Sequence, residues 1–269
     1  VPVVSEPLDD LLDLAEELAR RAGALLLKRL ADPRTEVSTK SSATDMVTEI
    51  DRLSERLIVD GIRAARPRDG ILAEESGELE GSSGLRWVVD PLDGTTNYLY
   101  GHPGFAVSIA VERDGRSIVA VVNDPVHSEL FTAVSEGGAR RNGVPIRPSQ
   151  AVDLGTALVA TGFAYDPARR RAQAAVLERV LPRIRDIRRM GAAAVDLCSV
   201  ACGRVDAYFE RGLEAWDLSA GLLIAAEAGA SVGAIGGGPA VPGSAIAAPP
   251  ALFEPLRALL VEAGAATHA

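Results

Sequence analysis

Apolar side chains at Leu11, Leu14, Ala15, Leu18, Ala22, Leu25 and Leu26 recur at helical spacing through residues 8–30, with acids early in the run and Arg20, Arg21, Lys28 and Arg29 late in it. That distribution complements a helix dipole and predicts a packing helix behind a loose tail at residues 1–7. A polar connector containing Lys40 follows at residues 32–44. Met46, Val47, Ile50, Leu53, Leu57, Ile58 and Ile62 then predict a second amphipathic helix ending before Pro67, since the residue ahead of a proline is driven out of helical conformation. Asp45, Thr48, Glu49 and Asp51 fall in its first two turns, where acids ordinarily form a solvated face that compensates the dipole.

The pattern then shortens to strand length. Residues 70–73 are an apolar run leading into Glu74 and Glu75, which by themselves read as surface-turn charges although one of them should stand at a strand end. Residues 106–112, 117–122 and 130–133, separated by AspGly and AspPro breakers, predict an antiparallel meander, and 136–143 a hairpin rim. A composition shift at 149–155 marks a boundary, beyond which strands at 157–161, 184–188, 206–210 and 245–248 alternate with helices at 168–181, 191–203, 218–228 and 252–263. Asp217 reads as the cap of the helix at 218–228 and Gly229 as its end. The glycine-rich stretch at 233–243 reads as a turn, because PAVPG follows it where a dinucleotide fingerprint would open a helix.

Composition narrows the partners. A net charge of -9 and a pI near 5.0 disfavour nucleic acid and anionic membrane, neither of which attracts an acidic protein at long range. Cys198 and Cys202, four apart on a helical segment, cannot easily reach disulfide geometry and read as small core residues. His102, His127 and His268 show no ligand spacing to them. With no signal-like segment and no apolar run of membrane-spanning length, the expectation is a cytoplasmic protein.

The stretch WVVDPLDGTTN at 87–97 carries the chemistry. Trp87, Val88 and Val89 predict a buried strand that Pro91 ends, with Asp90 at its C-terminal end. Asp93 opens a tight turn and Gly94 permits close backbone approach, while Asp93, Thr95 and Thr96 are types that cap a new helix, whose free N–H groups attract an anion. Two carboxylates beside an anion cradle would repel the anion unless cations lay between them, so the stretch predicts divalent metal holding a phosphate. Asp90, Asp93 and the intervening Leu92 carbonyl are oxygen donors of the kind magnesium takes. Magnitudes agree: phosphate monoester hydrolysis needs up to about 10²¹-fold acceleration, a general base supplies about 10²- to 10⁴-fold, and paired metals can activate water and stabilise both oxygens of an in-line displacement. Spacing alone leaves open whether Glu74 or Asp217 joins Asp90.

Together with LAEES at 72–76 and EAWDLSAGLLIAAEAG at 214–229, this stretch resembles the inositol monophosphatase family of magnesium-dependent, lithium-sensitive sugar phosphatases, and the likeness runs from KSSATDMVTEID at 40–51 to SAIAAPP at 244–250. The resemblance implies a layered αβαβα sugar-phosphatase fold, mixing α+β and α/β character, and a homodimer. It also implies an active site between an N-terminal half at 8–150, which carries the metal-binding core, and a C-terminal α/β half at 151–265. Carried over residue by residue, Glu74, Asp90, the Leu92 carbonyl and Thr95 would hold a first Mg2+, Asp90, Asp93 and Asp217 a second, and Glu74 with waters a third. Glu74, and in some proposals a Thr95 and Asp51 pair, would orient the attacking water while Gly94 and Thr95 N–H groups hold the phosphate. Gly191, Ala192, Ala193 and Glu210 would face the polyol, with Glu210 and Asp93 accepting from its hydroxyls. Ala192 stands where the family often has a hydroxyl residue, and ValAspLeuCys at 195–198 resembles bacterial members, some of which accept several sugar phosphates or histidinol phosphate.

The implied activity is hydrolysis of inositol 1-phosphate, with histidinol phosphatase or a broad sugar phosphatase as the alternative within the family. A protein-binding regulator on the phosphatase scaffold is the alternative of another class. A haloacid dehalogenase core fits less well, because its aspartates are separated by one residue and Asp90 and Asp93 by two. Arg188 and Arg189 read as rim ion-pairing residues.

Overall fold

The computed structural model describes residues 8–30, 37–39 and 46–266; the tail at 1–7 and the connector around Lys40 and Asp45 lie outside them. Helix α1 (Leu8–Leu30) has the bounds that its apolar spacing predicts. The second helix differs. Met46 and Val47 belong to β2 (Met46–Thr48), which pairs antiparallel with β1 (Val37–Thr39), and α2 (Glu49–Ala65) starts only after it. The β-branched Val47 and Thr48 favour extended backbone, and a partner strand outside the local pattern decides the matter.

Eight strands form the larger sheet: β3 (Gly70–Ala73), β4 (Gly77–Leu79), β5 (Leu85–Asp93), β6 (Ala106–Arg113), β7 (Arg116–Asp124), β8 (Glu129–Val134), β9 (Gly138–Arg141) and β10 (Val144–Pro145). Their order is β10-β9-β8-β7-β6-β5-β3-β4, so the expected meander is present and only β3 and β5 run parallel. The short helix α3 (Thr95–Tyr100) follows β5. The rest of the chain contributes β11 (Leu158–Thr161), α4 (Pro167–Val180), β12 (Asp186–Arg188), α5 (Ala193–Ala201), β13 (Ala207–Arg211), α6 (Ala215–Glu227), β14 (Ser231–Gly233), β15 (Ser244–Ala248) and α7 (Pro250–Glu262). The smaller sheet has the order β12-β11-β13-β15-β14. Strands β4 and β14, three residues each, were too short to leave a period in the sequence.

Strand alternation explains the layering. Trp87 and Val89 of β5 face α1 and α2 with Ile109 and Val121, while Val88 faces the opposite way with Ala110 and Val122, against α5 and α6. Helices α5 and α6 also pack on Ala160, Tyr208 and Ala247 of the smaller sheet, whose other face meets α4 and α7 through Val159, Phe209 and Ile246. The result is the five-layer αβαβα arrangement. Cys198 lies in the middle layer as a core residue, where burial pushes its thiol pKa up. Among the described residues no helix is long and apolar enough to cross a membrane.

Candidate active site

Strand β5 does not stop at Asp90. It continues through Pro91 to Asp93 by way of an irregularity in its pairing with β6, where Asp90 faces Ser108 and Asp93 faces Ala106. A bulge tolerates the missing proline N–H and re-aims the side chains beside it. Ser54 Oγ donates to the Pro91 carbonyl at 2.8 Å and Leu92 N to Asp90 Oδ1 at 3.0 Å, so this segment is pinned from both sides.

Gly94, not Asp93, caps α3, with φ 92 and no side-chain cap bond. A Cβ on Gly94 would stand 2.9 Å from the Gly104 carbonyl and 3.3 Å from the Ala192 Cβ, so glycine is required by space as well as by backbone. Freed from capping, Asp93 accepts from Ala194 N at 2.7 Å. The first-turn N–H groups of α3 have no acceptor within the helix. Asn97 Nδ2 donates to the Gly104 and Met190 carbonyls at 2.6 and 2.7 Å, fixing the loop that brings Gly191, Ala192 and Ala193 beside Gly94.

Register places Glu74. Ala73 of β3 lies opposite Val89 of β5 in parallel, and Glu74 N donates to the Val89 carbonyl at 3.2 Å, so Glu74 emerges next to Asp90. Glu75 N donates to the buried Glu55 at 2.7 Å. Glu74 is therefore the glutamate that stands at the strand end, and for it the surface-turn reading is corrected; Glu75 lies in the turn that follows. Asp51 is corrected likewise: it is 1 % exposed, and Thr95 Oγ1 lies 3.0 Å from its Oδ1 and 3.2 Å from the Leu92 carbonyl.

Asp217 is not the N-cap of α6. Glu214 holds that position, and Asp217, three residues on, completes a capping box by accepting from Glu214 N at 2.6 Å. Capping is compatible with a ligand role, since Asp90, Asp93 and Asp217 each offer an oxygen within 4.8 Å of the others. Burial pushes Asp90 and Asp217 well above the usual carboxylate range, with Glu74 and Asp93 adding repulsion to both. Burial also brings Asp93 up to about 7, against the N–H of Ala194. Crowded carboxylates of this kind, all oxygen donors and with no cationic side chain among the causes of their shifts, fit a divalent cation.

Glu210, at the end of β13, lies toward the other side of Asp93. Its Oε2 accepts from the buried Tyr208 hydroxyl at 2.8 Å, and burial pushes it up to about 7 while Arg189 opposes the shift. Arg188 forms the expected rim ion pair, at 2.8 Å to Asp186, whereas Arg189 is directed electrostatically toward Glu210 and Asp196. Tyr208 and Asp196 were missed in the sequence, where an aromatic in a strand and an acid in a helix read as ordinary packing and surface positions. Asp196 is 1 % exposed, and a buried acid without a charged partner in its own helix gives no local signal.

The geometry is that of a phosphoryl-processing site, and the chain belongs to the inositol monophosphatase family, whose model matches residues 7–265. It is 42% identical to the inositol-1-monophosphatase of Mycobacterium leprae over 92% of each chain. It is 45% identical to the protein named Nus factor SuhB of Escherichia coli strain K12, over 85% of this chain and 86% of that one. Among solved structures, the extragenic suppressor protein suhB of Bartonella henselae superposes with a TM-score of 0.89 at 37% identity, covering 93% of this chain and 98% of that one.

Proposed function

We propose that the protein is a magnesium-dependent phosphomonoesterase that hydrolyses inositol 1-phosphate to inositol and inorganic phosphate. The observation that carries this reading is the convergence of Asp90, Asp93 and Asp217 beside the first turn of α3. Asp90, Asp93 and Asp217, together with Glu74, Thr95 and the Leu92 carbonyl, would hold two to three Mg2+. Magnesium bound there supplies Lewis-acid polarisation of the phosphoryl group and a water nucleophile at neutral pH.

The chain's own residues supply the orientation. Thr95, whose hydroxyl donates to Asp51, keeps lone pairs free to accept from the attacking water, and Glu74 takes the proton that this water loses. The water oxygen forms the new P–O bond as the ester P–O bond breaks, and the departing alkoxide takes a proton from solvent water; because water attacks phosphorus directly, no phosphoenzyme forms. The Gly94 and Thr95 N–H groups hold phosphate oxygens. Gly191, Ala192 and Ala193 wall the polyol, and Glu210 and Asp93 accept from its hydroxyls. In this reading the enzyme is a cytoplasmic homodimer, and in each chain the site lies between the half at 8–150 and the half at 151–265.

Phosphate release from inositol 1-phosphate, histidinol phosphate and fructose 1,6-bisphosphate, measured with magnesium, without it and with lithium, tests the proposal. The expected result is a preference for inositol 1-phosphate, dependence on magnesium and inhibition by lithium. A preference for histidinol phosphate keeps the metal chemistry and overturns the role given to Glu210. The likeness to proteins named Nus factor supports a second reading, a protein-binding regulator on the same scaffold. Magnesium binding without turnover of any monoester, with capture of a stable heterologous partner, would favour it.

A further inference from the structure

Asn97 closes the stretch at 87–97 and lies two residues after Thr95 in α3. Its Nδ2 donates to the Gly104 carbonyl at 2.6 Å and, across 93 positions of sequence, to the Met190 carbonyl at 2.7 Å. The N–H of Met190 is taken from another element, because it donates to the Asp196 carboxyl in α5. Met190 is thus held at both of its backbone groups, from α3 on one side and from α5 on the other.

Asp196 is an expensive residue to use for this. It is 1 % exposed, and its Oδ1 has no hydrogen-bond partner. Glu210 and Asp93 repel it, and only Arg189 attracts it. Burying a carboxyl for a single N–H costs more than one neutral hydrogen bond returns, so its place follows from what Met190 carries and not from stability.

What Met190 carries is the wall of the alcohol pocket. Gly191 follows it with φ 94, a left-handed backbone at which an unrestrained chain could swing. The Gly191 carbonyl and the Ala192 Cβ each lie 3.3 Å from where a Cβ on Gly94 would be, so the wall abuts the turn that opens the anion cradle. Asp196 N donates to the Ala192 carbonyl at 3.0 Å and closes the loop back onto α5.

We propose that Asn97 and Asp196 are positioning residues that clamp Met190 by its carbonyl and its N–H, and so set the distance between the wall at 191–193 and the anion cradle on which selectivity for a cyclic polyol depends. Neither side chain touches the substrate. The inference rests on the phosphatase reading and deepens it by naming what fixes the alcohol side of that site.

Asp196→Ala removes the acceptor and should raise the KM for inositol 1-phosphate about tenfold, near the worth of one hydrogen bond, while kcat stays unchanged. Phenyl phosphate, whose alcohol part has no further hydroxyls to place, should keep its KM. Asp196→Asn retains an oxygen for the Met190 N–H and should restore the KM of the unmodified protein. A lower melting temperature with both KM values unchanged, equal KM changes on the two substrates, or no restoration by Asp196→Asn would each overturn the clamp. Should Asp196→Ala not fold, Asn97→Ala releases Met190 from its carbonyl side and carries the same comparison. If the unmodified protein turns over no phosphate ester, the phosphatase reading fails, and amide hydrogen exchange tests the clamp by itself. Exchange at Met190 should rise at least about tenfold in Asp196→Ala and return to the unmodified rate in Asp196→Asn, whereas equal rates in all three proteins would overturn it.

Discussion

Asp93 Oδ2 accepts a hydrogen bond from Ala194 N at 2.7 Å, across 101 residues of sequence, and so ties a carboxylate of β5 to the start of α5. One side chain thereby faces both the acidic cluster and the loop at Gly191 to Ala193. Asp93→Asn can keep an oxygen on Ala194 N while losing the charge. Activity should fall by at least about 10²-fold, since even outer partners of metal ligands are worth 10- to 100-fold. In a chelator the melting temperature should not fall, because repulsion with Asp90 and Asp217 is relieved. Asp93→Ala should instead cost about 1–3 kcal/mol, the penalty of an unsatisfied buried N–H. Phosphate release and thermal melts of both variants check this.

The raised carboxylates set an unusual pH dependence. Asp93 and Glu210, both brought up to about 7, lie above their unfolded values. Between those values and about 7 the folded state binds more protons than the unfolded state. Their contribution to stability is fully present below the unfolded pKa and is lost as pH rises through about 7. Metal-free protein should therefore melt higher at pH 5 than at pH 8 as far as these groups decide it. Magnesium affinity should move the opposite way and weaken on acidification, because protons compete for the same oxygens. Melts with chelator and with magnesium at several pH values measure both slopes.

Thr95→Val keeps the shape of the side chain and removes the hydroxyl that bridges to Asp51 and the Leu92 carbonyl. Turnover should drop by about 10²-fold or more, the lower bound for a positioned proton-transfer group. Stability should fall by about 1 kcal/mol, the net worth of one hydrogen bond. If kcat survives while only stability changes, Thr95 is a structural residue. Steady-state kinetics beside urea unfolding separates the outcomes.

Glu210→Gln preserves an acceptor for the Tyr208 hydroxyl but replaces the carboxylate proposed to accept from a polyol. For inositol 1-phosphate, kcat/KM should fall about tenfold, near the difference between a charged and a neutral hydrogen bond. A simple aryl phosphate, which offers no adjacent hydroxyls, should be hydrolysed as before. Equal losses on both substrates would show that Glu210 acts on the cluster and not on the alcohol.

Local periodicity by itself determined α1, the meander of β6 to β8 and most of the alternating elements after residue 157, because spacings of two and of three to four residues are written into adjacent positions. The short spacing of Asp90, Asp93 and Gly94 also marked the candidate site, although the sequence placed a turn where β5 continues through a bulge. Only the tertiary structure decided the remainder. Glu74 reaches Asp90 through the parallel register of β3 and β5, and Asp51 reaches Thr95 through the packing of α2 on the larger sheet. Asp217 reaches both aspartates from a capping box that the sequence renders as a simple helix start. Like charges have no local preference to meet. They converge here because burial of the three apolar clusters fixes the elements that carry them, and the repulsion left over is of the kind a cation can relieve.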